Sequence, residues 1–203
     1  RALEYYGKTL KIDHAHIRAR LNRCSIYMAL DEGRKALDDA EILLDLAPNF
    51  TLARFRKAEA GMMLGEWAKA REDLDIVLER APHHHQAMTQ LAACFIALGR
   101  PERAEAPLND ALRIAPNHAP AWHQRGLLYL EWGRDDNALS DFEAAVKSEA
   151  DHLDAHLHIA AMHHEAERFD QAGAAWRAVL NLDPDHVVAK TRLDECEIKL
   201  MAQ

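Results

Sequence analysis

Along this chain apolar residues recur at intervals of three and four within segments that are separated by short polar breaks. That spacing lays one stripe of each segment along one face of an amphipathic helix. The segments come in pairs, and the pairs repeat: Pro48, Pro82, Pro116 and Pro184 are separated by 34, 34 and 68 residues, with Ala150 where a further proline would stand. A fixed period of this length predicts stacked copies of one supersecondary unit. The register predicts full units at 17–50, 51–84, 85–118, 119–152 and 153–186. Before them, 1–16 reads as the second helix of a partial unit, and after them 187–203 reads as a capping helix.

Two columns of small residues run through this register. One holds Ala2, Ala36, Ala70, Ala104, Ala138 and Ala172, and the other Cys24, Ala58, Ala92, Gly126 and Ala160. Two helices cross closely only where side chains are minimal, so these columns set the distance between the helices of a hairpin. Large residues at Tyr27, Phe95 and Tyr129 and at Tyr6, Leu74, Leu108, Phe142 and Trp176 fill the remaining space. Gly65, Gly99 and Gly133 fall between the two segments of a unit, where a helix end calls for a residue tolerant of positive φ. Each recurring proline ends a second helix, because it lacks an N–H and clashes with the preceding turn. Pro101 suits a helix start. Pro107 predicts a bend, through loss of the bond to the Arg103 carbonyl. Asp194 and Glu197 replace the small and aromatic residues of their columns in the last segment, as a solvated cap would.

Period, small-residue columns, aromatic columns and terminal proline together resemble the tetratricopeptide repeat family over essentially the whole chain. The segment Ala2 to Asp13 is similar to the family's second helix, and Trp122, Gly126, Tyr129, Ala138, Phe142 and Ala145 make the fourth unit the most typical. The resemblance implies an all-α fold, a right-handed superhelical solenoid of stacked antiparallel helical hairpins whose first helices form a concave wall. It also implies a protein or peptide ligand in that groove.

Taking the groove-facing positions of each first helix at helical spacing, the candidate residues are Arg18, Asn22, Leu52, Phe55, Arg56, Met62, Met63, Gln90, His123, Gln124, His158 and His164. Phe55 and the two methionines would take apolar anchors, and Asn22, Gln90 and Gln124 would satisfy polar groups of a bound segment. The same Phe55, Met62 and Met63 also suit packing between neighbouring hairpins. Some family members clamp acidic C-terminal tails. Asn22 and Arg56 match two of the five clamp places, but Leu52 stands where a lysine belongs, so the resemblance argues against that ligand.

The balance of charge narrows the partners. With 25 Lys and Arg against 33 Asp and Glu, the formal charge of −8 disfavours nucleic acid. The Arg54, Arg56 and Lys57 stretch, soon followed by acids, reads as a solvated face. No apolar run suits membrane insertion. Cys24, Cys94 and Cys196 lie far apart without CxxC spacing, which favours a reducing, cytoplasmic compartment over a disulfide or zinc framework. Among the 13 histidines, His16, His84, His118, His152 and His186 share the last repeat position, a polar junction. His152, His156, His158, His163 and His164 crowd the fifth unit, yet no third metal ligand converges, so neither metal nor cofactor is expected. Titration of His123, His158 and His164 near pH 6.5 would make groove affinity depend on pH. Phosphate loops, nucleophile elbows and zinc-protease pairs are missing, so no catalysis is expected of these residues. Ala2 sits in a second-helix column with no first helix before it, which predicts either further chain or self-assembly through exposed repeat ends.

Overall fold

The computed structural model describes residues 1–202, and among them it is all-helical, with twelve α-helices and one short 3₁₀ turn. After α1 (Ala2–Ile12) come the hairpins α2 (Ile17–Ala29) with α3 (Gly33–Leu46), and α4 (Thr51–Met63) with α5 (Trp67–Arg80). Next are α6 (His85–Ala97) with α7 (Glu105–Ile114), α8 (Ala119–Glu131) with α9 (Asp135–Ser148), and α10 (Leu153–Glu165) with α11 (Phe169–Leu182); α12 (Val187–Met201) follows. None of these helices is long and apolar enough to cross a membrane. The chain groups into two compact units, Arg1–Ala111 and Leu112 onward.

The turns follow the glycine column. Gly65, Gly99 and Gly133 have φ of 74°, 69° and 65°, and the residues in the same register of the first and fifth hairpins, Asp31 and Glu167, adopt 58° and 56° without being glycine. Left-handed backbone crowds a Cβ, so these two positions carry strain that the glycines do not. The bend expected at Pro107 is instead a break. Pro101–Arg103 form the 3₁₀ turn and α7 starts at Glu105, so Pro107 lies in the first turn of α7, where a missing N–H leaves no helical bond unmade.

Small residues line both cores. The alanines at 36, 70, 104, 138 and 172 are at most 1% exposed. A further column, Ala19, Ala53, Ala87, Ala121, Ala155 and Ala189, is also buried in the first turns of the first helices, fully so at every position but Ala19. At Gly126 a Cβ would stand 2.7 Å from the Phe142 ring, closer than the packing there allows.

Buried carboxylates lock individual hairpins. In the first unit Asp39 accepts from Arg20 at 2.9 Å and from Arg23 at 2.7 and 2.8 Å, and Asp73 accepts from Arg54 at 2.8 Å with Lys57 at 2.9 Å. In the second unit Asp141 accepts from Arg125 at 2.7 and 2.8 Å. Arg54 and Lys57 therefore do not form the solvated face expected of them; they reach inward to a carboxylate on the facing helix. The third hairpin replaces the whole arrangement with Pro107, Met88 and Leu91. Removing all partners together leaves no uncompensated buried charge.

Candidate interaction surface

Within each unit, first helices face one another in succession. In the first unit α2 touches α4 and α4 touches α6. In the second unit side chains of α8 meet those of α10, and side chains of α10 meet those of α12. Four of these helices, α2, α6, α10 and α12, begin at a histidine cap. The imidazole Nδ1 of His16 and of His84 accepts the N–H of Ala19 and of Ala87 at 3.2 Å, and His152 and His186 accept from Ala155 and Ala189 at 3.4 and 3.2 Å. These four junction histidines thus cap their helices, held as the tautomer that leaves Nδ1 unprotonated, whereas the His118 side chain makes no such cap.

The first unit presents Leu52 and Met63 exposed, Met62 and Gln90 half-buried, and Arg18 exposed at the start of α2. Phe55 is a correction to the open anchor expected of it. It is buried, with its ring 4.6 Å from that of His84, because a phenyl at this position seals the joint between α4 and α6. Arg56 and Asn22 are engaged too. Arg56 donates to Glu59 at 2.6 Å and lies over the Phe55 ring, and the Asn22 amide donates to the Tyr6 hydroxyl at 3.2 Å. The Arg56 guanidinium draws the Glu59 carboxyl down, yet burial outweighs it and leaves that carboxyl above its ordinary value. A clamp for a carboxylate tail would need these groups free.

In the second unit His123 is half-buried, with its ring 4.8 Å from His152 and 5.5 Å from His158, and His158 stacks on Phe142 at 4.7 Å. Burial, with smaller contributions from His152 and His158, pulls His123 down to about 4, and burial also lowers His158. The expectation that these two rings titrate near pH 6.5 is therefore corrected downward. The Nε2 of His123 and the Oε1 of Gln124 are enclosed without hydrogen-bond partners. His164 lies 3.3 Å from Glu195 and 3.4 Å from Cys196 Sγ. That sulfur is no nucleophile: Cys196 is fully buried, and burial pushes its thiol up. The remaining fifth-hairpin histidines diverge, with His156 bonded to the Ala150 carbonyl at 2.9 Å and His163 buried. Among the described residues no three-ligand metal cluster forms.

A cavity of about 240 Å³ lies at the turn end of the second unit, floored by Leu130, Leu139 and Met162 and rimmed by Asp135, Asp136, Glu165 and Arg168. Small-molecule sites usually span roughly 300–1,000 Å³, so its size suits a side chain better than a cofactor.

Two stretches match the sequence profile of the tetratricopeptide repeat, 62–125 and 119–152. No curated protein matches the chain. Among solved structures, TTC0263, a thermophilic TPR protein of Thermus thermophilus, is 25% identical with a TM-score of 0.74, covering 90% of this chain and 99% of its own. YrrB, described as a TPR protein with an unusual peptide-binding site, is 20% identical at a TM-score of 0.61, over 93% and 97% of the two chains. A chain of the Cut9–Hcn1 hetero-tetramer of the APC/C aligns at a TM-score of 0.83 with 16% identity; the match covers 96% of this chain and 39% of that longer one. The last two likenesses concern the fold alone.

Proposed function

Since the chain is a tetratricopeptide repeat protein, we propose that it is a protein-interaction scaffold that binds an extended or helical segment of a partner along the first helices α2, α4 and α6. The observation that carries this reading is the pairing of exposed apolar Leu52 and Met63 with polar Gln90 and Arg18 on helices that touch in succession. Exposed apolar side chains rimmed by polar groups are the usual composition of a peptide groove. Phe55, Asn22 and Arg56 serve this surface indirectly, by holding its floor.

The test is selection from a displayed peptide library against the full chain, followed by affinity measurement on variants. Leu52→Ser with Met63→Ser weakens a selected peptide by about tenfold or more, since losing a buried apolar anchor costs about 1.5–3 kcal/mol. Ile42→Ser with Leu46→Ser, exposed on the second helix α3, leaves affinity unchanged. Equal loss in both double variants, or none in the first, overturns the reading.

A further inference from the structure

Three imidazoles meet where α10 packs on α8. His123 projects from α8; His152 caps the start of α10, and His158 follows one and a half turns into that helix. Phe142 of α9 closes the group, stacked against His158 with planes 12° apart and 5.7 Å from His123. The carboxylate facing His123 and His158 is Asp154 of α10, and α9 contributes the ring of Phe142. Neutral, the rings pack as aromatic discs and His152 accepts the N–H of Ala155.

Protonation changes each of these contacts in one direction. A proton on Nδ1 of His152 removes the acceptor that caps α10 and places a positive charge at the positive end of its dipole. A proton on His123 places charge on a ring whose Nε2 is enclosed without a partner. A second charged ring 4.8 or 5.5 Å away then repels the first across the two helices. Asp154 is the carboxylate that faces both His123 and His158.

We propose that this contact is an acid-labile joint: loading protons onto His123 and His158, whose rings pack beside the His152 cap, separates the fourth hairpin from the fifth and opens the first-helix face of this unit below neutral pH. The device is independent of what the surface in the first unit binds.

The direction of the linkage supports it. His123 is depressed from 6.5 to about 4 by burial first and by His152 and His158 after it, with Asp154 opposing. Between those values the unfolded chain takes up a proton that the folded chain refuses, so stability is complete above about pH 6.5 and falls as pH descends toward 4. His158 is lowered likewise, and its loss runs in the same direction.

The experiment follows the full chain by two readouts. Imidazole NMR from pH 7.5 to 4 reports each histidine; urea unfolding at pH 7 and pH 5 is read by tryptophan emission, three of the four tryptophans, Trp122, Trp132 and Trp176, lying in this unit. The comparison variant is His123→Leu with His158→Gln, which installs residue types the chain uses in the same columns at Leu21 and Gln90. The wild-type ratio of folded to unfolded protein falls about tenfold more than the variant's between the two pH values. His123 stays neutral while the fold persists, and the signals of α8 and α10 shift together when it protonates. Equal falls in both proteins, or protonation of His123 near pH 6.5 with those signals unmoved, overturns the joint. His123→Leu alone carries the same comparison if the pair does not fold.

Discussion

The joint between α4 and α6 and the joint between α8 and α10 occupy the same columns of the repeat and are made of different chemistry. In the first unit Phe55 lies 4.6 Å from His84, with Leu74 and Gln90 in the neighbouring columns. In the second, His123 lies 4.8 Å from His152, with Phe142 and His158 in those columns. The ring spacing is nearly the same, so both joints satisfy packing. They differ in what fills the three columns: a phenyl, an imidazole cap and an amide in the first, and an imidazole at each in the second. A repeat scaffold can thus hold its geometry constant while placing sensitivity to solution conditions at one junction.

The largest effect should show that the hairpins on either side are not what differs. Asp73→Ala in the first unit and Asp141→Ala in the second each remove a buried carboxylate that pairs with half-buried cations, Arg54 and Lys57 in the one and Arg125 in the other, at a cost of about 3 kcal/mol. Urea unfolding at neutral pH should give losses of similar size. A much smaller loss in one unit would mean that the units differ inside their hairpins and would blunt the comparison of joints.

Next in size is Phe55→His, which gives the first joint the residue pair of the second. Replacing a buried phenyl by imidazole costs about 2 kcal/mol through lost packing. The variant should also acquire a fall in stability between pH 7 and pH 5 that exceeds the wild type's. His84 is already lowered by burial, so wild-type protein loses some stability over the same range, and the measured quantity is the excess. An unchanged pH slope would show that ring identity at this column does not set acid sensitivity.

The smallest effects serve as a control common to both units. Asp31 and Glu167 hold left-handed backbone where the other turns have glycine. Asp31→Gly and Glu167→Gly should each raise stability by about 0.5–1 kcal/mol, since relief of the Cβ strain exceeds the added freedom of the unfolded chain. Neither gain should depend on the histidine joints, and thermal melts at pH 7 and pH 5 would reveal any coupling.

Much of the fold was legible in the spacing of residues. The alanine and glycine columns reported helix crossings and turns directly, because close backbone approach and positive φ tolerate few side chains. The buried ion pairs were also written there, in columns that change together: Arg54, Lys57 and Asp73 in one hairpin, Met88, Leu91 and Pro107 in the next. They went unread because a charge considered singly is indistinguishable from a solvated one. The surface was less legible. Phe55 and Leu52 fall on the same predicted stripe, yet one seals a joint and the other is exposed, a difference set by the neighbouring helix that covers the stripe's edge.

The sequence by itself determined the all-helical repeat, its period and the positions of its turns, because backbone sterics and helical periodicity act within a few residues of where they are written. The tertiary structure decided which of the periodic side chains face a partner, which seal a joint and which histidines share a proton-sensitive contact. Desolvation and ring packing depend on residues about 30 positions apart that come together only when hairpin packs on hairpin.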